Sequence, residues 1–380
     1  MIPFSRQDAD FRHGIDRLLK GICQKLQLSP TQHKLAEQHY KAVSDFLERS
    51  TSILAPYNPK IYPQGSLPMG VTNKPFGQEE YDLDFICELQ ILCQKISPSD
   101  LFSKFEDQIS QHDDYKKRME LGKRCIRLTY AHDFHLDIVP ACTNEKAGFG
   151  QVKIPDRELE TWKDTNSKMY VKWFNSVAEY SQRQLLTIDH AEPLPSQESF
   201  DDKSALKFAV QLLKRYRDIA FRSEPDLAPV SIVLSTLSAE QYRGQASVFA
   251  TVQEILDSIA TKITLNCGKR LQVWNTANQV PEDLGERWEQ NPDAYEAFKS
   301  WILNFQQKWK ELQKARGYAE ISAILTNLFG EQPTNEIIRE DAFQMSRSRE
   351  LEQLGIIAGS GLLTSQSPKI SLPKNTFYGE

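Results

Sequence analysis

The sequence predicts an α+β protein of two lobes, one built on a small mixed β-sheet and one made of helices alone. Three observations point there. At 380 residues the chain exceeds what one ordinary hydrophobic core fills. Short alternating or apolar runs are confined to residues 61–141, with helical spacing before and after them. The composition, 40% apolar, 10% aromatic and 26% charged, is that of a folded globular chain and excludes wide disorder.

Taken in order, the first element sets Phe11, Ile15, Leu18, Leu19, Ile22 and Leu26 along one helical stripe. Ser29, Pro30 and Gln32 then supply an N-cap, a proline at the first helical position and a capping-box partner. Leu35, Ala36, Tyr40, Val43 and Leu47 continue the apolar stripe of this second helix. Both helices read as scaffolding for a first domain over residues 1–190. Inside it, YDLDFICEL, RCIRLTY and FHLDIVPA read as strands, with a helix near Ser99–Ile109. Beyond the Pro-rich loop Ala191–Ser196, helices are predicted over Asp202–Phe221, Pro229–Tyr242, Ala246–Lys262, Pro292–Ala315 and Tyr318–Phe329. They form a helical lobe spanning residues 191–340. Residues 341–380 end in a mixture of Ser, Gly, Pro and Thr and read as a flexible tail.

Several classes are argued against at this level. No run approaches the roughly 18 apolar residues of a membrane span, and MIPFSRQDADFRHG lacks the apolar core of a secretory signal, so a cytoplasmic protein is expected. Six cysteines without a C-x-x-C pair suit reduced thiols, not a zinc site or a disulfide framework. A net charge of −5 argues against a whole-molecule grip on DNA or RNA. Lys116, Lys117, Arg118, Lys123, Arg124 and Arg127 fall in a predicted hairpin region and read as a solvated basic face.

Three segments carry candidate chemistry. Gln64-Gly65-Ser66 follows a short apolar piece. A glycine there lets the backbone approach a phosphate, and the Ser66 hydroxyl with N–H groups at a helix start makes an anion cradle; the plain alternative is a turn. In Tyr81-Asp82-Leu83-Asp84-Phe85, strand alternation points Asp82 and Asp84 the same way while Leu83 and Phe85 enter the core. Paired carboxylates call for a cation, and oxygen-only ligands suit Mg²⁺ or Mn²⁺; the alternative is a solvated strand face. Asp137, set among Leu136, Ile138 and Val139, needs a partner and completes a triad if its strand lies beside that of Asp82. The alternative is a structural, hydrogen-bonded aspartate. His132, Asp133 and His135 read as residues at the start of that strand.

The ordered set of G-S, D-x-D sixteen residues after Ser66, and one later strand aspartate resembles the polymerase β-like nucleotidyltransferases. Residues Gly150–Tyr170, the helix LKFAVQLLKRYR, the run APVSIVLSTL and the stretch Asn275–Trp288 narrow the resemblance to the bacterial CD-NTases, relatives of cyclic GMP-AMP synthase and oligoadenylate synthase that serve in anti-phage defence (CBASS). The resemblance implies a polymerase β-like catalytic domain and an oligoadenylate-synthase-like helical lobe, with a cleft for two NTPs (ATP, GTP or another). It implies catalysis with two Mg²⁺ held by Asp82 and Asp84, Asp137 binding only the ion next to the attacking hydroxyl, and Mn²⁺ as a substitute. Lys214 and Ser231 match the positions that contact the donor triphosphate, together with Gln64, Gly65 and Ser66. The expected product is a cyclic di- or trinucleotide; linear oligonucleotides, or a silent nucleotide-binding module, are the alternatives. A monomer is expected, without a nucleic-acid activator, since no Cys/His insertion is present. The C-terminal Thr376-Phe377-Tyr378-Gly379-Glu380 resembles tails that CBASS accessory proteins act on.

Overall fold

A computed structural model of the chain describes residues 6–74, 81–130, 134–144, 148–179, 194, 200–266, 268–277 and 282–351, with three two-residue strands beyond them. The side chain of Phe11, Glu80, His132, Asp133, Cys267, most of the loop Ala191–Ser196 and the stretch Thr376–Glu380 lie outside the described residues. The five described cysteines are free.

Helices α1 (Arg6–Leu26) and α2 (Pro30–Glu48) open the chain, and the capping box closes as its residues dictate. Gln32 N–H donates to Ser29 Oγ (3.2 Å) while Ser29 N–H donates to Gln32 Oε1 (2.9 Å). The sheet region follows: β1 (Lys60–Gln64), β2 (Tyr81–Leu92), α3 (Pro98–Ser110), α4 (Asp113–Arg118), β3 (Met119–Leu121), β4 (Ile126–Tyr130), β5 (Phe134–Thr143), β6 (Val152–Asp156), β7 (Thr161–Thr165) and α5 (Ser167–Ala178). The helical region holds α6 (Ala205–Ala220), α7 (Ser231–Gln241), α8 (Val248–Leu265), α9 (Arg287–Gln290), α10 (Pro292–Lys314), α11 (Tyr318–Phe329) and α12 (Glu331–Glu350). Beyond it β8 (Gly355–Ile356), β9 (Leu363–Thr364) and β10 (Ile370–Ser371) make a small three-stranded sheet.

The main sheet runs β1-β2-β5-β4-β3, with β6 joined to the end of β5 and β7 to β6. Its central pair, β2 and β5, is parallel, and the other pairs are antiparallel. One face presents Leu83, Phe85, Leu128, Leu136 and Ile138 to a core shared with α2 and α3. The opposite face has a smaller apolar cluster of Tyr62, Ile86, Val139, Ala141 and Val152, and polar residues toward the start of β2 and β5. That half-covered face borders the cleft.

A second core belongs to the helices, and it includes residues of α1 and α5 such as Ile15, Leu19, Tyr170 and Phe174 beside Phe208, Leu234, Phe305 and Trp309. Sequence order places α1 and α5 before residue 190. An apolar stripe joins whichever core can bury it, however, and chain order does not decide which. The predicted tail also begins later than residue 341, because residues 341–350 continue α12. This helix is held on α1: Asp341 pairs with Arg17 at 2.9 Å, Lys25 pairs with Glu340, and a Cβ on Gly21 would collide with Ile337. No helix among the described residues is long and apolar enough to cross a membrane.

Candidate active site

The parallel register of β2 and β5 sets Asp82 opposite His135 and Asp84 opposite Asp137. With the two-residue alternation of each strand, the three aspartates share one sheet face. Asp137 is buried, at 7% exposure, whereas 57% of the Asp82 side chain is open, toward a confined cleft. Burial, and then the neighbouring carboxylates, push Asp84 up to about 7. Asp82 is raised for the same reasons, chiefly burial and then Asp137. The pair thus carries more negative charge than its surroundings neutralise.

Arg127 is the near counter-charge. It stands opposite Asp137 in the β4–β5 register and grips that carboxylate with both arms, Nε to Oδ1 and Nη2 to Oδ2, each 2.7 Å. Its Nη2 also reaches Asp82 Oδ1 at 3.3 Å. The reading of Arg127 as part of a solvated basic face is therefore corrected: the register of β4 against β5 brings its side chain to the acidic face. Lys123 and Arg124 are engaged as well, with Glu158, Asp156 and Glu286.

Both oxygens of Asp137 are given to Arg127, and no group of three acidic, His or Cys side chains among the described residues is gathered as a metal-holding set. Asp82 and Asp84 remain as an all-oxygen pair whose charge is only partly offset. That chemistry fits a hard divalent cation. His135, opposite Asp82 in the register, has Thr129 Oγ1 3.3 Å from its Nδ1.

The Gly65-Ser66 piece sits directly against these carboxylates, since β1 pairs Gln64 with Asp84. Gly65 has φ +71°, and a Cβ there would come 2.6 Å from Asp84 Oδ2. Only glycine satisfies both demands. No helix follows, contrary to the expected helix-start cradle; residues 65–70 form consecutive turns, closed by Val71 N–H to Ser66 C=O (3.0 Å). The Ser66 hydroxyl is 3.2 Å from that of Thr72. The turn is suspended from the helical lobe: Asn175 of α5 donates to Pro68 C=O (3.0 Å), Gln211 to Thr72 C=O (2.9 Å), and Asn73 to Gln211 C=O (2.8 Å).

Lys214 of α6 is buried and donates to Val71 C=O at 3.0 Å. Burial, with Arg217 adding to it, lowers its ammonium to about 8. Ser231 is the first residue of α7, and its Oγ accepts from Arg217 Nη1 at 2.7 Å. Gln64, Gly65, Ser66, Lys214 and Ser231 all line one cleft of about 460 Å³, together with Asp82 and Asp84. Asp137 stands behind them, on the same sheet face but outside the lining.

Sequence reasoning missed Arg217, Asn275 and Glu282, which also line the cleft. Arg217 lies one helical turn beyond Lys214, so i, i+3 spacing on α6 could have found it. Asn275 and Glu282 carry no local signal, because loop contacts alone bring them to the cleft.

Comparison with known proteins agrees with this architecture. Residues 15–177 match the Second Messenger Oligonucleotide or Dinucleotide Synthetase domain. The chain is 32% identical over 369 residues to the c-di-GMP synthase of Roseivirga ehrenbergii, covering 96% of this chain and 97% of that protein. It is 30% identical over 254 residues to the cyclic dinucleotide synthase CdnG of Bradyrhizobium diazoefficiens, covering 60% of this chain and 59% of the relative. The solved structure of the Bradyrhizobium diazoefficiens CD-NTase CdnG in complex with GTP shares the fold, with a TM-score of 0.70 at 23% identity over 87% of this chain and 99% of that one.

Proposed function

This chain belongs to the bacterial CD-NTases, nucleotidyltransferases that form cyclic dinucleotides, and on that footing we propose that it joins two molecules of GTP into cyclic di-GMP with release of pyrophosphate. The observation that carries the reading is the likeness, along nearly its whole length, to a relative named for that product. The cleft supports it with Asp82 and Asp84 beside the Gly65-Ser66 turn.

Asp82 and Asp84, with Asp137 once Arg127 yields an oxygen, would hold divalent cations, Mg²⁺ or Mn²⁺. Such a cation supplies acidity to the acceptor ribose hydroxyl and neutralises the triphosphate. The chain's own groups do the rest. Gly65 gives the donor phosphates access to backbone N–H groups, and Ser66, oriented by Thr72, adds a hydroxyl. Lys214 and Arg217 place positive charge where the departing pyrophosphate gathers negative charge. The acceptor oxygen bonds to the donor α-phosphorus as the bond to the β-phosphate oxygen breaks, and a second such step within the linear product closes the ring.

The product is proposed as an anti-phage signal, made by a monomer. The double substitution Asp82→Ala and Asp84→Ala is expected to leave circular dichroism unchanged and abolish pyrophosphate release from GTP. Retained turnover in that variant would refute the assignment.

A further inference from the structure

Two short segments that contribute to the cleft lining face each other as a narrow pair. Asn275 N–H donates to Glu282 C=O (2.9 Å), Leu284 N–H donates to Val273 C=O (2.8 Å), and Trp274 bridges Asp283 between them. Asp283 stiffens the base by accepting from Val273 N–H (3.1 Å) and Gly285 N–H (2.9 Å) and by pairing with Arg270. Next along the chain, Glu286 is tied to the catalytic sheet by Arg124 and Lys163, each at 2.8 Å. Glu282 is thus mounted on a frame fixed to both lobes.

Its carboxylate is oriented by a buried partner. Asn275 is 4% exposed, and its Nδ2 donates to Glu282 Oε2 at 2.8 Å. Both residues line the cleft that contains Gly65, Ser66, Asp82 and Asp84. Tyr170 and Ile232 belong to the same wall; the Tyr170 hydroxyl, bonded to Thr236 at 2.8 Å, is close enough for the Glu282 charge to act on it. The lining thus sets an aromatic and an aliphatic side chain near one fixed acceptor group, a combination that suits a base. The cations that suit phosphate, Lys214 and Arg217, sit on α6.

We infer that Glu282, aimed by Asn275, reads the Watson–Crick edge of guanine and so determines which NTP the cleft accepts; this rests on the nucleotide-joining reading above. The reason is donor and acceptor matching. An ionised carboxylate only accepts, with about four lone-pair sites, so it can keep the Asn275 bond and take more. Guanine presents two adjacent donors, N1–H and the exocyclic 2-amino group. Adenine presents the N1 lone pair at the corresponding place and carries no 2-amino group, and uracil flanks its one N–H with two carbonyl oxygens. Only guanine gives the carboxylate two charge-assisted hydrogen bonds without repulsion. A site built for such bonds rejects the analogue that lacks them.

The test uses equilibrium binding of GDP, IDP and ADP to the full chain. These diphosphates cannot release pyrophosphate as triphosphates do, and IDP differs from GDP only by the missing 2-amino group. Wild type is expected to bind GDP about 10- to 100-fold more tightly than IDP, the range of a hydrogen bond to a charged group, and ADP no better than IDP. Glu282→Gln is expected to bring GDP and IDP within about threefold of each other and to tighten ADP, whose N1 lone pair then meets an amide N–H instead of a carboxylate, and Asn275→Ala to lower the GDP preference part of the way. A GDP:IDP ratio unchanged in Glu282→Gln overturns the inference. So does wild type that binds GDP no more tightly than IDP, a result that needs no variant to fold. Product chromatography with GTP separates the two levels. A Glu282-dependent GDP preference without any cyclic product overturns the enzyme reading alone, and cyclic di-GMP formation with no such preference overturns this inference alone.

Discussion

Arg127 and Asp84 represent opposite solutions to one local problem, the placing of carboxylates side by side. Asp137 is compensated by a bidentate guanidinium, so Arg127→Ala would leave it buried and unpaired. A loss of about 1–3 kcal/mol in denaturant unfolding is expected, less than for a fully buried pair because 34% of the Arg127 side chain meets solvent. Asp84 is not so compensated, and its folded pKa of about 7 lies above the ordinary 3.8. The folded state then keeps a proton that the unfolded chain releases, so this group makes the metal-free protein lose stability as pH rises from about 4 to about 7. Asp84→Asn removes that ionisation. In thermal melts with EDTA it is expected to be more stable than wild type by about 1–3 kcal/mol near pH 8, and equal to it near pH 4. Added Mg²⁺ is expected to raise the melting temperature of wild type and not that of Asp84→Asn. At this scale the aspartates are legible in the sequence, because a period of two assigns faces. The Arg127 partnership is not, because it depends on how β4 is registered against β5.

Between elements, the decisive contacts join the turn and the paired segments at Asn275 and Glu282 to the opposite lobe. The turn at residues 65–70 is held at Pro68 by Asn175, and the two residues after it, Val71 and Thr72, by Lys214 and Gln211. The paired segments are held by Glu286, whose carboxyl is kept below its ordinary range by Lys163 and Arg124 against the opposing effect of burial. Glu286→Arg is expected to raise the KM for GTP severalfold with little change in kcat, since it loosens the cleft wall and touches no reacting group. Lys163→Glu combined with it restores one opposite-charge pair and is expected to recover part of the affinity. If the double variant is no better than Glu286→Arg alone, the clasp is not what sets the wall. Helix α6 illustrates how much of this is readable. Its start at Ala205, three residues inside the predicted boundary, follows from Ser204 Oγ accepting from Lys207 N–H. The partners of Gln211 and Lys214 follow from neither periodicity nor capping.

For the molecule as a whole, α12 closes the helical lobe against α1, and the short strands after residue 351 follow it. Ending the chain after Leu351 is therefore expected to leave the melting temperature within a few degrees and the rate of pyrophosphate release unchanged. A chain ended before α12, at Gly330, is expected to melt markedly lower, because it uncovers the α1 surface at Gly21, Arg17 and Lys25. The sequence by itself determined the α+β class, most helix positions, the alternation that aligns Asp82 with Asp84, and the glycine at position 65. These follow from rules acting over a few residues: helical and strand periods, caps and backbone freedom. Only the tertiary structure decided that Arg127 neutralises Asp137, that α1 and α5 are buried among the later helices, and that Glu282 and Asn275 face the cleft. Those outcomes depend on strand register and on burial between segments far apart in the chain, and local spacing carries no information about either.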